Sequence, residues 1–360
     1  MQQIDEKPLK SEGIGRELQR RIFRQYAIGE SLPSEKEMAE EFGVAVHTVR
    51  EAILPLVRSR VLARRRGSGI TVQDWSRTLP TAIFTRHDLF SNPMQQPFLL
   101  TCAGAVRDAC LKAGLFPHIF CGAGPIDSPT NGLGFRDFVR LASEGRLAAV
   151  IHLAGYTDPE WLEQVNDVGI PMVSPSQSNV EFDYSDMIFK SVGHLRAQGA
   201  RRIAFIYGER RRDRSDAWEK LFLDAVGMMG LSTRPEWIQG GEPPWHRGTG
   251  KHHFKRIWNA SEERPDGLVI NDDRLFQDLA PAMASGGIRV PDELKIVTHA
   301  NDSYPLYAGF PYTACTFGIK RYAEIQVEIL LGMIRKEPVH RQRMLIAGDM
   351  ISVSPEPLLS

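Results

Sequence analysis

The chain has 360 residues, 42% hydrophobic and 9% aromatic, and its 44 lysines and arginines balance 44 aspartates and glutamates to a formal net charge of +0. At roughly 150 residues per domain that length implies two or three domains, and a charged fraction of 24% is too low for a disordered chain. No run approaches the ~18 continuous apolar residues of a membrane helix, and the polar amino terminus reads as neither signal nor transit peptide, so a cytoplasmic protein with no membrane partner is expected. Cys102, Cys110, Cys121 and Cys315 lack metal-ligand spacing and read as small core residues in a reducing compartment. Neutrality of the whole chain disfavours a nucleic-acid partner, but the charge is unevenly placed. Residues 1–75 hold 13 basic and 11 acidic residues, and within them residues 50–66 hold Arg50, Arg58, Arg60, Arg64, Arg65 and Arg66 against Glu51 alone. A local stripe of this kind is what phosphate contact requires, although a solvated charged face would look the same.

In chain order, Ile14, Leu18, Ile22 and Tyr26 form one apolar face of a first helix over residues 14–26, which Gly29 stops. Ser34 and Glu37 have the spacing of a capping box, predicting a second helix through Met38, Ala39 and Phe42 that ends at a left-handed Gly43. A third helix follows with Val49, Ile53 and Leu56 inward and His47, Thr48 and Arg50 outward. Residues 61–63 and 70–72 then read as two short strands joined by a glycine turn. Helix, helix, short turn, helix and hairpin make a winged helix-turn-helix, with the third helix placed to enter a major groove.

The stretches GESLPSEKEMAEEFGV, TVREAI and RRRGSGITV resemble the GntR-type winged-helix domain over about residues 8–73. That resemblance implies double-stranded DNA contacts at Lys36, His47, Thr48, Arg50, Arg66 and Gly67, with Arg64, Arg65 and Gly69 completing the wing. Arg50 fits a guanine edge, and Lys36 and Thr48 fit phosphates or bases. Alternatively, Arg50 pairs with a nearby acid of its own helix, and Gly67 and Gly69 merely satisfy a tight turn. Where the family usually has Ser-Arg this chain has Ala45-Val46, removing a helix cap and a contacting arginine. Pro55 should kink or shorten the third helix.

From about residue 80, short apolar runs alternate with helical periods, the mark of βαβ units. Strands are expected at residues 81–84, 118–121, 148–153, 171–173, 203–207, 268–270 and 295–298, and a helix at 185–198. QPFLLTCAGAVRDACLKAG, VGIPMVS, HLRAQGARRIAFIYG, RPDGLVINDD and GIRVPDELKIVTH resemble, in order, the ligand-binding domain of LacI/GalR repressors, which is similar to periplasmic sugar-binding proteins. The resemblance spans about residues 80–355 and, with the head, gives the architecture of arabinose-repressor-type regulators. The expected fold class is α/β: a small winged helix-turn-helix domain plus a two-lobed, doubly wound parallel-sheet domain of the type I periplasmic-binding-protein kind. The expected boundaries are 1–73 for the head, 74–80 for a linker without a hinge helix, and 81–358 for the effector domain. Within that domain the N-lobe takes about 81–176 plus 316–345, and the C-lobe about 177–315 plus 346–358. Coupling would run through the linker and the dimer geometry.

Ligands of open α/β sheets sit at the carboxyl ends of the strands, here facing each other across an interlobe cleft. This places Phe98, Arg210, Trp218, Asn271, Asp272, His299 and Asn301 near an effector. Asn271-Asp272 matches the family pair whose Asp binds a sugar hydroxyl, though the same Asp suits a helix N-cap. Trp218 replaces an effector-binding arginine and either stacks on a ring or fills the core. Arg210, Arg211, Arg212 and Arg214 either clamp an anion or form an exposed loop. His299-Ala300-Asn301 replaces the family's Asp-rich end, and His252-His253 reads as charged surface. No cofactor, metal or catalytic motif is expected; CGAGP is a weak dinucleotide loop because of Pro125. The expected function is therefore a ligand-responsive transcription regulator, a homodimeric repressor of carbohydrate uptake or catabolism genes responding to a sugar or derivative. The alternatives are a DNA-binding regulator whose sensor has lost its ligand and, more distantly, an enzyme on the same fold.

Overall fold

The computed structural model describes residues 10–65, 69–90, 97–124, 128, 130–153, 159–174, 180–208, 215–244, 246–303, 306–337 and 344–355. The chain divides into a first compact unit, Met1–Val180 with Lys320–Arg343, and a second, Glu181–Ile319 with Met344–Ser360. Among the described residues no helix is long and apolar enough to cross a membrane.

The first unit begins with α1 (Lys10–Arg24), α2 (Glu35–Phe42), α3 (Val46–Arg58) and an antiparallel hairpin of β1 (Leu62–Arg65) and β2 (Gly69–Val72). The small core forms because α1 turns Ile14, Leu18, Ile22 and Phe23 inward against Val49, Ala52, Ile53 and Leu56 of α3. Gly15 permits this approach: a Cβ there would lie 3.2 Å from the Ala52 carbonyl oxygen. The capping box forms as expected, with Ser34 Oγ accepting from the Glu37 amide at 3.2 Å and the Glu37 carboxylate accepting from the Ser34 amide at 2.7 Å. Gly43 ends α2 at φ 63°. One expectation needs correcting: the first helix ends at Arg24, so Tyr26 lies beyond it. Pro55 lies in the last turn of α3, which ends three residues later at Arg58. A proline costs one amide donor there, and the buried apolar face holds the last turn in place.

The segment expected to be a plain linker carries a buried anchor. Asp74 caps a 3₁₀ turn, Trp75–Arg77, through the Ser76 amide at 3.2 Å. Trp75 is fully buried with its ring centroid 5.1 Å from that of Phe23. The chain then enters β3 (Thr81–Thr85), followed by α4 (Pro97–Lys112), β4 (Pro117–Cys121), α5 (Arg136–Ser143), β5 (Ala149–His152), α6 (Pro159–Val168) and β6 (Met172–Val173). The four strands form a parallel sheet in the order β4-β3-β5-β6. Cys102 and Cys110 are buried in α4, as is Cys315 in the second unit, while Cys121 is half-buried.

The second unit contains β7 (Val180–Phe182), α7 (Tyr184–Ala197), β8 (Ile203–Tyr207), α8 (Ser215–Met228), β9 (Ile238–Gly240), α9 (Thr249–Trp258), β10 (Gly267–Ile270), α10 (Asp273–Ser285), β11 (Lys295–Asn301) and β12 (Tyr312–Phe317). Then α11 (Ile319–Arg335) returns the chain to the first unit, and β13 (Met344–Ile346) and β14 (Asp349–Val353) follow. Six strands make one sheet in the order β14-β12-β11-β10-β8-β9, parallel except for β14, which runs antiparallel beside β12. All seven expected strands are present, with β11 extended to Asn301; β7, β9, β12, β13 and β14 were not anticipated. One surface assignment fails. His253 is 1% exposed and faces Glu242 at 3.0 Å, because it lies on the inner side of α9 with Phe254 and Ile257.

Replacing Trp75 by Ala should cost the first unit about 3–5 kcal/mol of stability. Unfolding followed by domain-resolved hydrogen exchange should show the loss in α1 and the 75–79 segment; an unchanged midpoint for those amides would remove Trp75 as their anchor.

Candidate functional site

The helix-turn-helix presents a continuous polar face. The apolar side of α3 is fixed by its contacts with α1, which leaves His47 and Arg50 outward with side chains 79% and 62% exposed. Lys36, at the start of α2, is 83% exposed. Arg64 on β1 projects beside Arg50, and the two share one partner that the sequence reading missed. Glu35, 19% exposed, accepts from Arg50 Nε at 2.6 Å and also from an Arg64 guanidinium nitrogen. Arg50 therefore does pair with an acid, but with one across the turn rather than within its own helix. This carboxylate ties the first residue of α2, the outer face of α3 and the wing strand into one charged cluster. Sequence spacing could not show this, because Glu35 opens α2 while its partners lie on α3 and β1.

His47 lies 3.5 Å from Glu51. Thr48 is helical in the first turn of α3, and Ala45 at the N-cap makes no side-chain cap, as its methyl group requires. Arg65 is placed on β1 by its backbone, and Gly69 opens β2 at φ 79°. Arg66 and Gly67 lie outside the described residues.

In the second unit, parallel strands end on one edge of the sheet, so the carboxyl ends of β8, β10 and β11 bring Gly208, Asn271 and His299 to Asn301 together. Asn271 Oδ1 accepts from the Gly208 amide at 2.9 Å. Asp272 is the N-cap of α10, accepting from the Arg274 amide at 3.0 Å, and it also holds the Arg274 guanidinium through two contacts at 3.0 and 2.7 Å. Asp272 thus takes the N-cap role left open for it, with an ion pair to Arg274 added. Burial opposes ionisation of Asp272, yet Arg274, and to a smaller extent His299, hold its carboxyl below the usual range. The adjacent Asp273 is pushed up to about 7, by burial first and then by the charge of Asp272. Asn301 donates to Asp273 at 3.2 Å, and its own buried Oδ1 has no hydrogen-bond partner among the described residues.

An aromatic wall lines the same region. Tyr184, at the first position of α7, sits 5.5 Å from Trp218 edge-on, 6.0 Å from His299 and 5.3 Å from Phe317. Trp218 is buried, and His299 lies 5.5 Å from Phe317. Tyr184 and Phe317 escaped the sequence reading because neither lies in an alternating apolar run. Of the remaining candidates, Phe98 belongs to α4 of the first unit, half-buried, and Arg210 lies outside the described residues. The polar cluster and the aromatic wall meet at His299, which lies beside both Asp272 and Tyr184.

Asp273 gives this cluster a pH dependence. An unfolded Asp ionises near about 4. Between that pH and about 7 the folded protein keeps a proton that the unfolded chain releases, so stability falls as pH rises through the window.

Residues 10–72 match the family described as bacterial regulatory proteins, gntR family, and residues 192–351 match the periplasmic binding protein-like domain. The HTH-type transcriptional repressor PurR of Photobacterium profundum is 20% identical over 86% of this chain and 94% of its own length. PurR of Aliivibrio salmonicida is 21% identical over 69% and 74%. Among solved structures, the complex of the transcriptional regulator CelR with cellobiose covers 91% of this chain and all of its own, with a TM-score of 0.62 at 16% identity. The transcription regulator CcpA of Lactococcus lactis covers 77% and 99%, with a TM-score of 0.58 at 14% identity. At these identities the structural likeness establishes the fold.

The charge cluster yields one prediction. Asp273→Asn should remove the fall in stability between about pH 4 and 7 and make the variant more stable than the parent at pH 8 by roughly 1–3 kcal/mol. Urea unfolding at several pH values measures this; parallel curves for the two proteins would place the titration elsewhere.

Proposed function

From a gntR-type head joined to a periplasmic-binding-protein-like domain, which makes this chain a DNA-binding transcription regulator, we propose a homodimeric repressor whose operator occupancy is set by a sugar or sugar derivative. The observation that carries the DNA half is the exposed cluster of Lys36, His47, Arg50 and Arg64 on the outer side of the helix-turn-helix. In this reading residues 1–73 read DNA and residues 81–358 sense the ligand. Helix α3 enters the major groove, Arg50 leaves Glu35 for a guanine edge, and the wing with Arg64, Arg65, Arg66, Gly67 and Gly69 reaches the adjacent minor groove. Lys36 and Thr48 take phosphates.

A second copy is supported by the outer face of α4 and the edge strand β4, where Leu111, Phe116 and Ile119 are exposed. Covering that face would also close an open sheet edge.

The ligand half rests on Asn271, Asp272, His299 and Asn301 beside Tyr184 and Trp218. Planar amides and a carboxylate suit ring hydroxyls, the unpaired Asn301 Oδ1 suits a hydroxyl donor, and an aromatic wall suits the apolar face of a sugar. To switch operator occupancy nearly completely, the ligand must favour one state by roughly 5 kcal/mol, or ~10⁴-fold. A second reading, a regulator whose sensor takes no small molecule, draws on the full engagement of Asp272 by α10 and Arg274.

Selection of random DNA by the full chain should return an inverted repeat, as two copies require. Arg50→Ala should cost about 1–3 kcal/mol of specific affinity and relax the preference at one position of each half-site. Unchanged base preference in the variant would remove Arg50 from base reading, and a single half-site per complex would contradict the dimer.

Thermal-shift screening of sugars, sugar acids and sugar phosphates tests the sensor. A ligand at 100 times its Kd should stabilise the protein by about 2.7 kcal/mol. Asp272→Asn, which keeps an N-cap acceptor, should weaken that response while leaving DNA selection intact. No response to any compound would favour the second reading.

A further inference from the structure

The helix that opens the reader is also held by the rest of the first unit. Three helices of that unit, α5, α6 and α11, end beside α1, and each is followed by a left-handed residue: Gly145 at φ 64°, Gly169 at φ 78° and Lys336 at φ 62°. Gln19 of α1, buried, donates from Nε2 to the Gly145 carbonyl. Arg24, the last residue of α1, donates to the Asn166 carbonyl in the final turn of α6. In the opposite direction, Lys336 Nζ donates to the Phe23 carbonyl at the end of α1 and lies 6.0 Å from the centroid of the Trp75 ring. The fit is close. A Cβ on Gly145 would collide with the Gln19 side chain, and one on Gly169 would meet Arg24 at 3.1 Å.

These contacts obey one electrostatic rule. The carboxyl end of a helix carries unpaired carbonyls and a partial negative charge, and a cation placed there is stabilising. Arg24 serves the end of α6, and Lys336 serves the end of α1. Lys336 itself is half-buried, and burial lowers its pKa below the ordinary lysine value, so its ammonium is held where it needs an acceptor. The reading side chains are not involved: Lys36, His47 and Arg50 remain exposed while α1 is held.

We infer that Gln19, Arg24, Lys336 and Trp75 form a latch that makes the reader a rigid extension of the sensor's first lobe, so that the lobe, rather than a flexible linker, sets the direction in which α3 points. The latch orients the reader without covering it. In a dimer, the distance between two recognition helices is then fixed by how the two lobes pair, and operators of one half-site spacing are favoured. The linker is a consequence of this docking, since Trp75 packs on Phe23 beneath Lys336.

The inference rests on the DNA-binding reading above, and two measurements on the full-length protein separate the two. In the first, made without DNA, the Thr78 and Leu79 amides should exchange slowly with deuterium in the parent and at least about tenfold faster in Lys336→Met, with α10 and β11 unchanged. Unprotected exchange in the parent overturns the latch. In the second, random DNA selected by the parent should carry half-sites at one spacing, whereas DNA selected by Lys336→Met or Arg24→Met should carry several spacings with the same half-site sequence. A merely structural role would not alter spacing, so unchanged spacing in both variants overturns the inference even if exchange accelerates. Multiple spacings in the parent overturn it as well. Failure of the parent to select any DNA would overturn the proposed function instead, and the exchange result would still decide whether the reader is docked.

Discussion

A helix leaves amides unpaired at one end and carbonyls at the other, and burying such an end requires a partner. Much of this protein's polar chemistry answers that requirement. Ser34 and Glu37 close the start of α2, Asp183 the start of α7 through the Asp186 amide at 2.9 Å, and Asp278 the start of α9 through the Gly248 and Lys251 amides. Asp272 closes α10 and Asp302 closes α11, the latter through the Ile319 amide at 3.0 Å. At the other ends, Gly43 donates its amide back into α2, and Lys336 and Arg24 cap α1 and α6. Several side chains that look available for ligand or DNA are thus already committed to backbone.

That commitment gives the two candidate sites their character. In the reader, Glu35 holds Arg50 and Arg64, so the base contact proposed for Arg50 would exchange one charge-assisted hydrogen bond for another. In the sensor, Asp272 already satisfies both α10 and Arg274, and Asp273 beside it is pushed up to about 7. In the proposed function a ligand there would enter a network already balanced, with the Asn301 Oδ1 and the aromatic wall around Tyr184 as its contacts.

The head was the most legible part of the sequence because its signals are local: the capping box, the left-handed Gly43 and the four-residue spacing of α1 all involve neighbours along the chain. The buried parallel strands β3, β5, β8, β10 and β11 were equally readable as apolar runs. Strands that depend on distant partners were not. β14 is mostly exposed and gains its identity from pairing with β12, and β7 and β13 pair across a gap in sequence that periodicity cannot bridge. The same limit applies to the sites. Asn271 and Asp272 were found from their position after a strand, whereas Tyr184, Phe317, the Glu35 clamp and the seam at Gln19, Arg24 and Lys336 depend on contacts between separate elements. His253 was misread because a basic neighbourhood along the chain said nothing about which side of α9 faces the sheet.

A DNA site and a small-molecule site on one chain, as proposed, are coupled, and coupling of this kind is reciprocal. The most direct test titrates the full-length protein against its selected operator, at fixed salt, with and without a compound that stabilises it. Operator Kd should change at least about tenfold, corresponding to ~1.4 kcal/mol of coupling, and the compound's affinity should change by the same factor when operator is present. Equal operator affinity with and without saturating compound would contradict the coupling.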